Sequence, residues 1–178
     1  MRKHLRTLLA AVSISAIAGV AYGDSPKFHF ADASVLDNLD LQVVFKETGL
    51  GTTVTSANIA VFTNATVTCH CVNSGGQCPN AANKSTNTAE VSKSGMFPVS
   101  NGQTSGAITV QPPVCAPTKT ACPKGQTLQP TQVSYAAPSS VPGLTGPFAG
   151  IIIEDVTESD SAVTTPPSVS GPLTPVCP

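Results

Sequence analysis

Between residues 58 and 72 the side chains alternate with a period of two. Ile59, Val61, Ala65, Val67, Cys69 and Cys71 take the odd positions, where only Thr63 is polar. Ala60, Phe62, Asn64, Thr66, Thr68 and His70 take the even ones. Successive residues of a β-strand point to opposite faces, so this pattern predicts one long strand with a buried odd face. A hairpin turning at Thr63 and Asn64 is the alternative. The parity passes Asn64 unchanged, which favours the single strand. The same period recurs earlier, where Leu41, Val43 and Phe45 oppose Gln42, Val44 and Lys46. Stretches 27–35 and 39–47 flank Leu36-Asp37-Asn38 and read as an opening β-hairpin.

Further strands are predicted over 89–99, 107–110, 126–136 and 150–154. Asn101-Gly102 is a strong hairpin signal between the first two of these. Pro130 marks the 126–136 strand as an edge or a bulge. Beyond the N-terminal segment no helical period is present. Short alternating stretches separated by turn residues imply an all-β fold, an immunoglobulin-like β-sandwich of about seven to eight strands, with a small barrel as the alternative.

The first residues change the compartment. Arg2, Lys3 and Arg6 precede an apolar run over 8–20, and Ala21-Tyr22-Gly23 offers small residues for a signal peptidase. Residues 1–23 are therefore expected to be a signal peptide, too short to span a bilayer comfortably. The folded domain is expected over 24–156. The segment 157–178 has five prolines, no aromatic residue and many Ser and Thr. On composition it is expected to be disordered. The protein is accordingly expected to be secreted, extracellular or periplasmic, without a membrane anchor. After cleavage six lysines face ten acids, a net charge of −4, and no arginine remains. Phosphate recognition leans on Arg, so nucleic-acid and anionic-membrane partners are disfavoured.

Three words carry a family likeness: Val43-Val44-Phe45-Lys46-Glu47-Thr48-Gly49-Leu50-Gly51; Cys71-Val72-Asn73-Ser74-Gly75-Gly76 with Ala81-Ala82-Asn83-Lys84; and Cys122-Pro123-Lys124-Gly125-Gln126 followed by Val133-Ser134-Tyr135. Over about residues 28–156 the chain resembles a largely uncharacterised family of small secreted bacterial proteins. The resemblance implies one β-sandwich domain behind a signal peptide and carries no activity over. Cys69, Cys78, Cys115 and Cys177 stand outside those words.

Six cysteines in an exported chain imply disulfides. Strand polarity places the loops bearing Cys78, Cys115 and Cys122 at the same end as Cys71. Cys71–Cys122 is the expected core bridge and Cys78–Cys115 a second. Cys69 and Cys177 then remain, to pair if the tail folds back, or with Cys177 making an intermolecular link. Zinc is the competing use of four thiolates, but C-x-C and C-x₆-C spacings are not those of zinc knuckles.

Other chemistry is thin. His29 and His70 could each act as a general base, and a solvated strand histidine is the simpler reading of both. Glu154-Asp155 and Glu158-Ser159-Asp160 supply oxygens without the spacing of a calcium loop, as a solvated acidic segment would. No catalytic residue, cofactor or metal set is assigned. The expectation is a non-catalytic extracellular structural or binding module, contacting an extracellular protein or glycan through the loop 74–83. A secreted enzyme with His70 as base, or a protease-inhibitor-like factor with disulfide-rigid loops, are the alternatives.

Overall fold

The computed structural model describes residues 26–79, 84–117, 122–145 and 148–157, and the backbone of 162–164 and 169–172. The expected signal peptide lies outside the described residues. Among the described residues there is no helix, and nine strands follow one another: β1 (Lys27–Val35), β2 (Leu41–Thr48), β3 (Ser56–Asn73), β4 (Lys84–Pro98), β5 (Gln103–Val110), β6 (Gln126–Ala136), β7 (Ile152–Asp155), β8 (Ala162–Thr164) and β9 (Val169–Pro172). They form two antiparallel sheets. The smaller has the order β1-β2-β5. The larger is built on β3, which pairs with β4 along one edge and with β7 and β6, end to end, along the other. β8 adds to β7 and β9 adds to β6.

β3 is one strand of 18 residues. Its register with β4 runs unbroken from Ser56↔Pro98 to His70↔Lys84, through Thr63 and Asn64. The odd residues from Ala57 to Cys71 are all buried. Thr63, the polar member of that face, donates its hydroxyl to the Ala136 carbonyl at 2.8 Å, so its burial leaves no unmet donor. Leu41, Val43 and Phe45 of β2 meet Ile59, Val61, Ala65, Val133, Tyr135 and Ile153 in one core between the sheets. Val44 points outward.

Three elements depart from the alternation pattern. β4 begins at Lys84, ahead of the expected 89. Lys84 to Thr88 are polar on both faces, and only the β3 backbone reveals them as a strand. Asn101 and Gly102 both have positive φ, 51° and 71°, and close a tight turn at the Ser100↔Gln103 bridge. The turn does not lead back into a hairpin, because β5 leaves β4 and joins β2 in the other sheet. The Phe97 ring sits at the parting. It stacks edge-on to Phe45, centroids 4.9 Å apart, and lies directly over Gly106 of β5, where a Cβ would collide with it. Thirdly, the segment 157–178 is not wholly without order, since β8 and β9 add to the larger sheet. The composition argument weighs side-chain burial, whereas these strands join through main-chain hydrogen bonds to open edges of β7 and β6.

The two sheets are tied at one point by Tyr135. Its buried hydroxyl donates to the Leu39 carbonyl at 2.8 Å, joining β6 to the β1–β2 turn across 96 positions. Burial and the charge of Asp40 hold the phenol protonated, well above its ordinary range. Leu39 has φ 72°, a left-handed conformation costing about 1–2 kcal/mol for an L-residue. The turn accepts that cost because the same backbone buries the Leu39 side chain, which contributes about 1.5–3 kcal/mol.

Tyr135→Phe removes the donor and leaves a buried carbonyl unpaired. Urea denaturation should show a loss of about 1–3 kcal/mol. Gly106→Ala should force the Phe97 ring aside and cost about 1–3 kcal/mol, with a weakened near-ultraviolet aromatic signal as the independent readout.

Candidate functional site

β3 is much longer than the 9, 8 and 8 residues of β1, β2 and β5. The Tyr135–Leu39 bond and the Leu41↔Val110 pair mark where the smaller sheet ends, level with Ala65. Val67, Cys69 and Cys71 continue the inward face beyond that edge, yet each is at most 1% exposed. Their cover includes the Pro-rich strap 111–117. It runs on from Val110, accepts a hydrogen bond from Asn87 Nδ2 at the Val114 carbonyl (2.8 Å), and is held by a Cys69–Cys115 disulfide. A second bridge, Cys71–Cys122, anchors the chain just before β6.

Cys115 therefore does not pair with Cys78, as the loop positions suggested, and Cys69 is not left for the tail. The order of the chain explains the pairing. Cys115 follows shortly after Val110 and meets the cysteine nearer the body of the sandwich. Cys122 shortly precedes Gln126, which pairs with Asn73, and meets the cysteine nearer the strand tip. Cys78 is also disulfide-bonded. Cys177 lies outside the described residues. With their sulfurs in covalent bridges, Cys69, Cys71, Cys115 and Cys122 are not available as metal-binding thiolates.

Next to the strap, the turn after β3 is ordered by Asn73. Its side-chain oxygen accepts from the Gly75 and Gln77 amides at 3.0 and 2.9 Å. Its own amide donates to the Gln77 carbonyl at 2.9 Å. Gly76, with φ 73°, supplies the left-handed step that closes the turn. Ser74, Gly75 and Gln77 face solvent, as does Val114 at the centre of the strap, 82% exposed. Residues 80–83 of the expected contact loop lie outside the described residues.

The histidines separate. His29 is exposed on β1 beside Phe30. His70 is only 5% exposed, against the expectation of a solvated ring. At this end of β3 both faces are covered, from Cys69 to Val72. The β-bulge opposite Thr68 and Cys69 leaves Thr131 without a partner residue in the ladder, and its hydroxyl sits 2.7 Å from His70 Nδ1. That hydroxyl donates to the Thr68 carbonyl at 3.1 Å. With its single proton on that carbonyl, the hydroxyl accepts from His70 Nδ1. Nε2 then carries the lone pair, enclosed and without a hydrogen bond among the described residues. Pro130 made a bulge legible in the sequence, but nothing marked the Thr131 hydroxyl as its product. Burial, and secondarily the charge of Lys84, lower the His70 pKa from 6.5.

The acids differ from the expected solvated cluster. Glu154 and Asp155 lie inside β7, 7% and 0% exposed, on opposite faces of the strand. Asp155 Oδ1 accepts from the Thr157 amide at 2.8 Å and turns the chain out of β7. Burial, then Asp155, raise the Glu154 pKa. Glu158 and Asp160 lie outside the described residues. Among the described residues no group of three or more His, Cys, Asp or Glu side chains is placed to hold a metal ion. On the outer face of the larger sheet, Glu90 of β4 holds the 137–145 loop, accepting from the Ser139 and Ser140 amides. Those bonds lower its pKa, the Ser139 contact most.

Comparison with protein-family models, with curated proteins and with solved structures finds no match.

Removing one bridge as Cys69→Ala with Cys115→Ala should cost about 2–4 kcal/mol in urea denaturation. A loss below about 0.5 kcal/mol would show that the strap is held without it. For His70 the folded pKa is depressed, so its contribution is present above pH 6.5 and is lost as pH falls below that value. Glu154 acts oppositely, contributing below pH 4.5 and losing that contribution as pH rises through its raised folded pKa. His70→Gln should therefore flatten the fall in stability between about pH 7 and pH 5. An unchanged pH profile would contradict the burial described for the ring.

Proposed function

We propose that this protein is an exported, non-catalytic binding module of immunoglobulin-like type whose stapled end is its contact surface. One observation carries the proposal. Two disulfides, the Asn87–Val114 hydrogen bond and the Asn73 turn hold the exposed loops of that end in one conformation. Loops on a rigid scaffold are where binding residues are commonly placed, and pre-ordering them lowers the entropy lost on association.

The strand order supports the type. β1-β2-β5 faces β4-β3-β6-β9, as strands A, B and E face C, F and G in an immunoglobulin-like sandwich, with the fourth strand moved beside the third. The disulfides fit an oxidising compartment, outside the cell or in a periplasm, which accords with export. An extracellular protein suits the surface better than a glycan. The strap offers Val114 between prolines, and Tyr135, one of two tyrosines in a chain without tryptophan, is buried. His70 is poorly suited to act as a base because its free nitrogen is enclosed.

The test is a screen of the immobilised protein against panels of extracellular proteins and glycans, repeated with Ser74→Asp, Gln77→Ala and Val114→Asp. A binder weakened at least about tenfold by these changes, equal to about 1.4 kcal/mol, is the expected result. A binder indifferent to all three would contradict the assignment, as would turnover of a panel substrate that His70→Gln abolishes.

A further inference from the structure

We infer that the free edge of β4 is a dimer interface, where two copies of this chain pair β4 against β4 and join their larger sheets into one. β4 has β3 on one side and, among the described residues, no strand on the other. The ladder fixes which of its main-chain groups are left over. The Val99 amide donates to the Thr55 carbonyl at 3.0 Å, and the Val156 amide to the Asn58 carbonyl at 2.8 Å. Odd residues of β3 therefore bond toward β4, and even ones toward β7. β3 and β4 pair odd with odd without a break, so the even residues of β4 turn their N–H and C=O groups outward. Thr86, Thr88, Glu90, Ser92, Ser94 and Met96 are all exposed. No bulge interrupts this row, and no proline enters it before Pro98. Two devices that commonly blunt a sheet edge are thus missing from it.

One register of self-pairing uses the whole strand. Outward-turned residues must meet one another, and a two-fold axis at Val91 achieves this from Lys84 to Pro98. It sets Thr86 against Met96, Thr88 against Ser94 and Glu90 against Ser92 of the second copy. No like charges then lie directly opposite. An axis at Glu90 or at Lys93 would set that residue against itself, which is unfavourable.

Charge complementarity points to a second copy as the occupant. Asp40, Val91, Lys93, Thr109, Val110 and Gln111 line a groove between the edges of β4 and β5. Lys93 pairs with the buried Val61, so it lies on the inner face of β4, where it is exposed. An inward-facing charge on an edge strand ordinarily guards that edge against pairing. In this register, however, Lys93 of the second copy falls opposite Ala89. Ala89 pairs with Ala65, which is level with the end of the smaller sheet. Asp40 stands at that end, one residue before β2. Each copy thereby offers its lysine to the other's Asp40. Gly95 of the second copy falls opposite Asn87, to which the strap is bonded, and brings no side chain there. The inference does not depend on what the stapled end binds.

Sedimentation equilibrium of the full exported chain, oxidised and at up to about 1 mM, tests it. A reversible dimer is expected. Ser92→Pro removes an outward N–H and spares the β3 ladder, so it should give a monomer with an unchanged far-ultraviolet spectrum. Lys93→Glu should weaken the dimer at least about tenfold. Val91→Cys should give a dimer cross-linked at position 91 on a non-reducing gel, and Ser94→Cys should not. A non-hydrogen-bonded pair holds its Cα atoms about 4.5 Å apart, within disulfide reach. A wild-type monomer at every concentration would overturn the inference and leave the edge to a strand of another protein. Tighter association of Lys93→Glu would also overturn it, the lysine then being a guard. A dimer that Ser92→Pro leaves intact, or that Val91→Cys fails to cross-link, would do the same.

Discussion

The fold depends on a mismatch of length. β3 carries its inward alternation over 18 residues, while no strand of the facing sheet exceeds 9. Half of that face is covered by β2 and β5 in the ordinary way of a sandwich. The other half extends past the end of the smaller sheet, where Val67, Cys69 and Cys71 need cover from elsewhere in the chain. The chain lays the 111–117 strap over the overhang and fixes it by covalent bonds. Disulfides there substitute for apolar area, as they do in small exported domains with thin cores.

The same mismatch locates the surface proposed for binding. Where sheets cover each other, side chains interlock and little is left to recognise a partner. Where the overhang is capped by a strap and a turn, exposed residues sit on a backbone held by Cys115, Cys122, Asn73 and Asn87. Structure and proposed function therefore share one cause. At the opposite end the sandwich closes differently, through the Asn101-Gly102 turn and the Phe97 ring over Gly106.

Much of this was legible in the residues. The parity from Ile59 to Cys71 predicted the long strand, and Leu41, Val43 and Phe45 predicted the inner face of β2. Strand polarity alone gathered Cys71, Cys115 and Cys122 at one end. Other features were hidden for physical reasons. Lys84 to Thr88 show no alternation because this stretch of edge strand carries polar residues on both faces, Asn87 among them bonding the strap. β8 and β9 join through backbone groups, which composition does not register. Asn101-Gly102 encodes a turn but not the destination of the strand after it. The burial of His70, Glu154 and Asp155 could not be read, because even positions on β3 and the end of β7 look solvent-facing until their cover is known. The order of pairing, Cys115 with Cys69 and Cys122 with Cys71, follows from which cysteine lies nearer the body of the sandwich, a distance the sequence does not express.

If the bridges stand in for a missing layer, their reduction should release the overhang and spare the core. Hydrogen exchange followed by mass spectrometry, on the oxidised and the reduced protein, measures this directly. On reduction the amides of Val67 to Val72 should lose protection while those of Ala57 to Val61 retain most of theirs. Uniform loss along β3, or no change at Val67 to Val72, would contradict it.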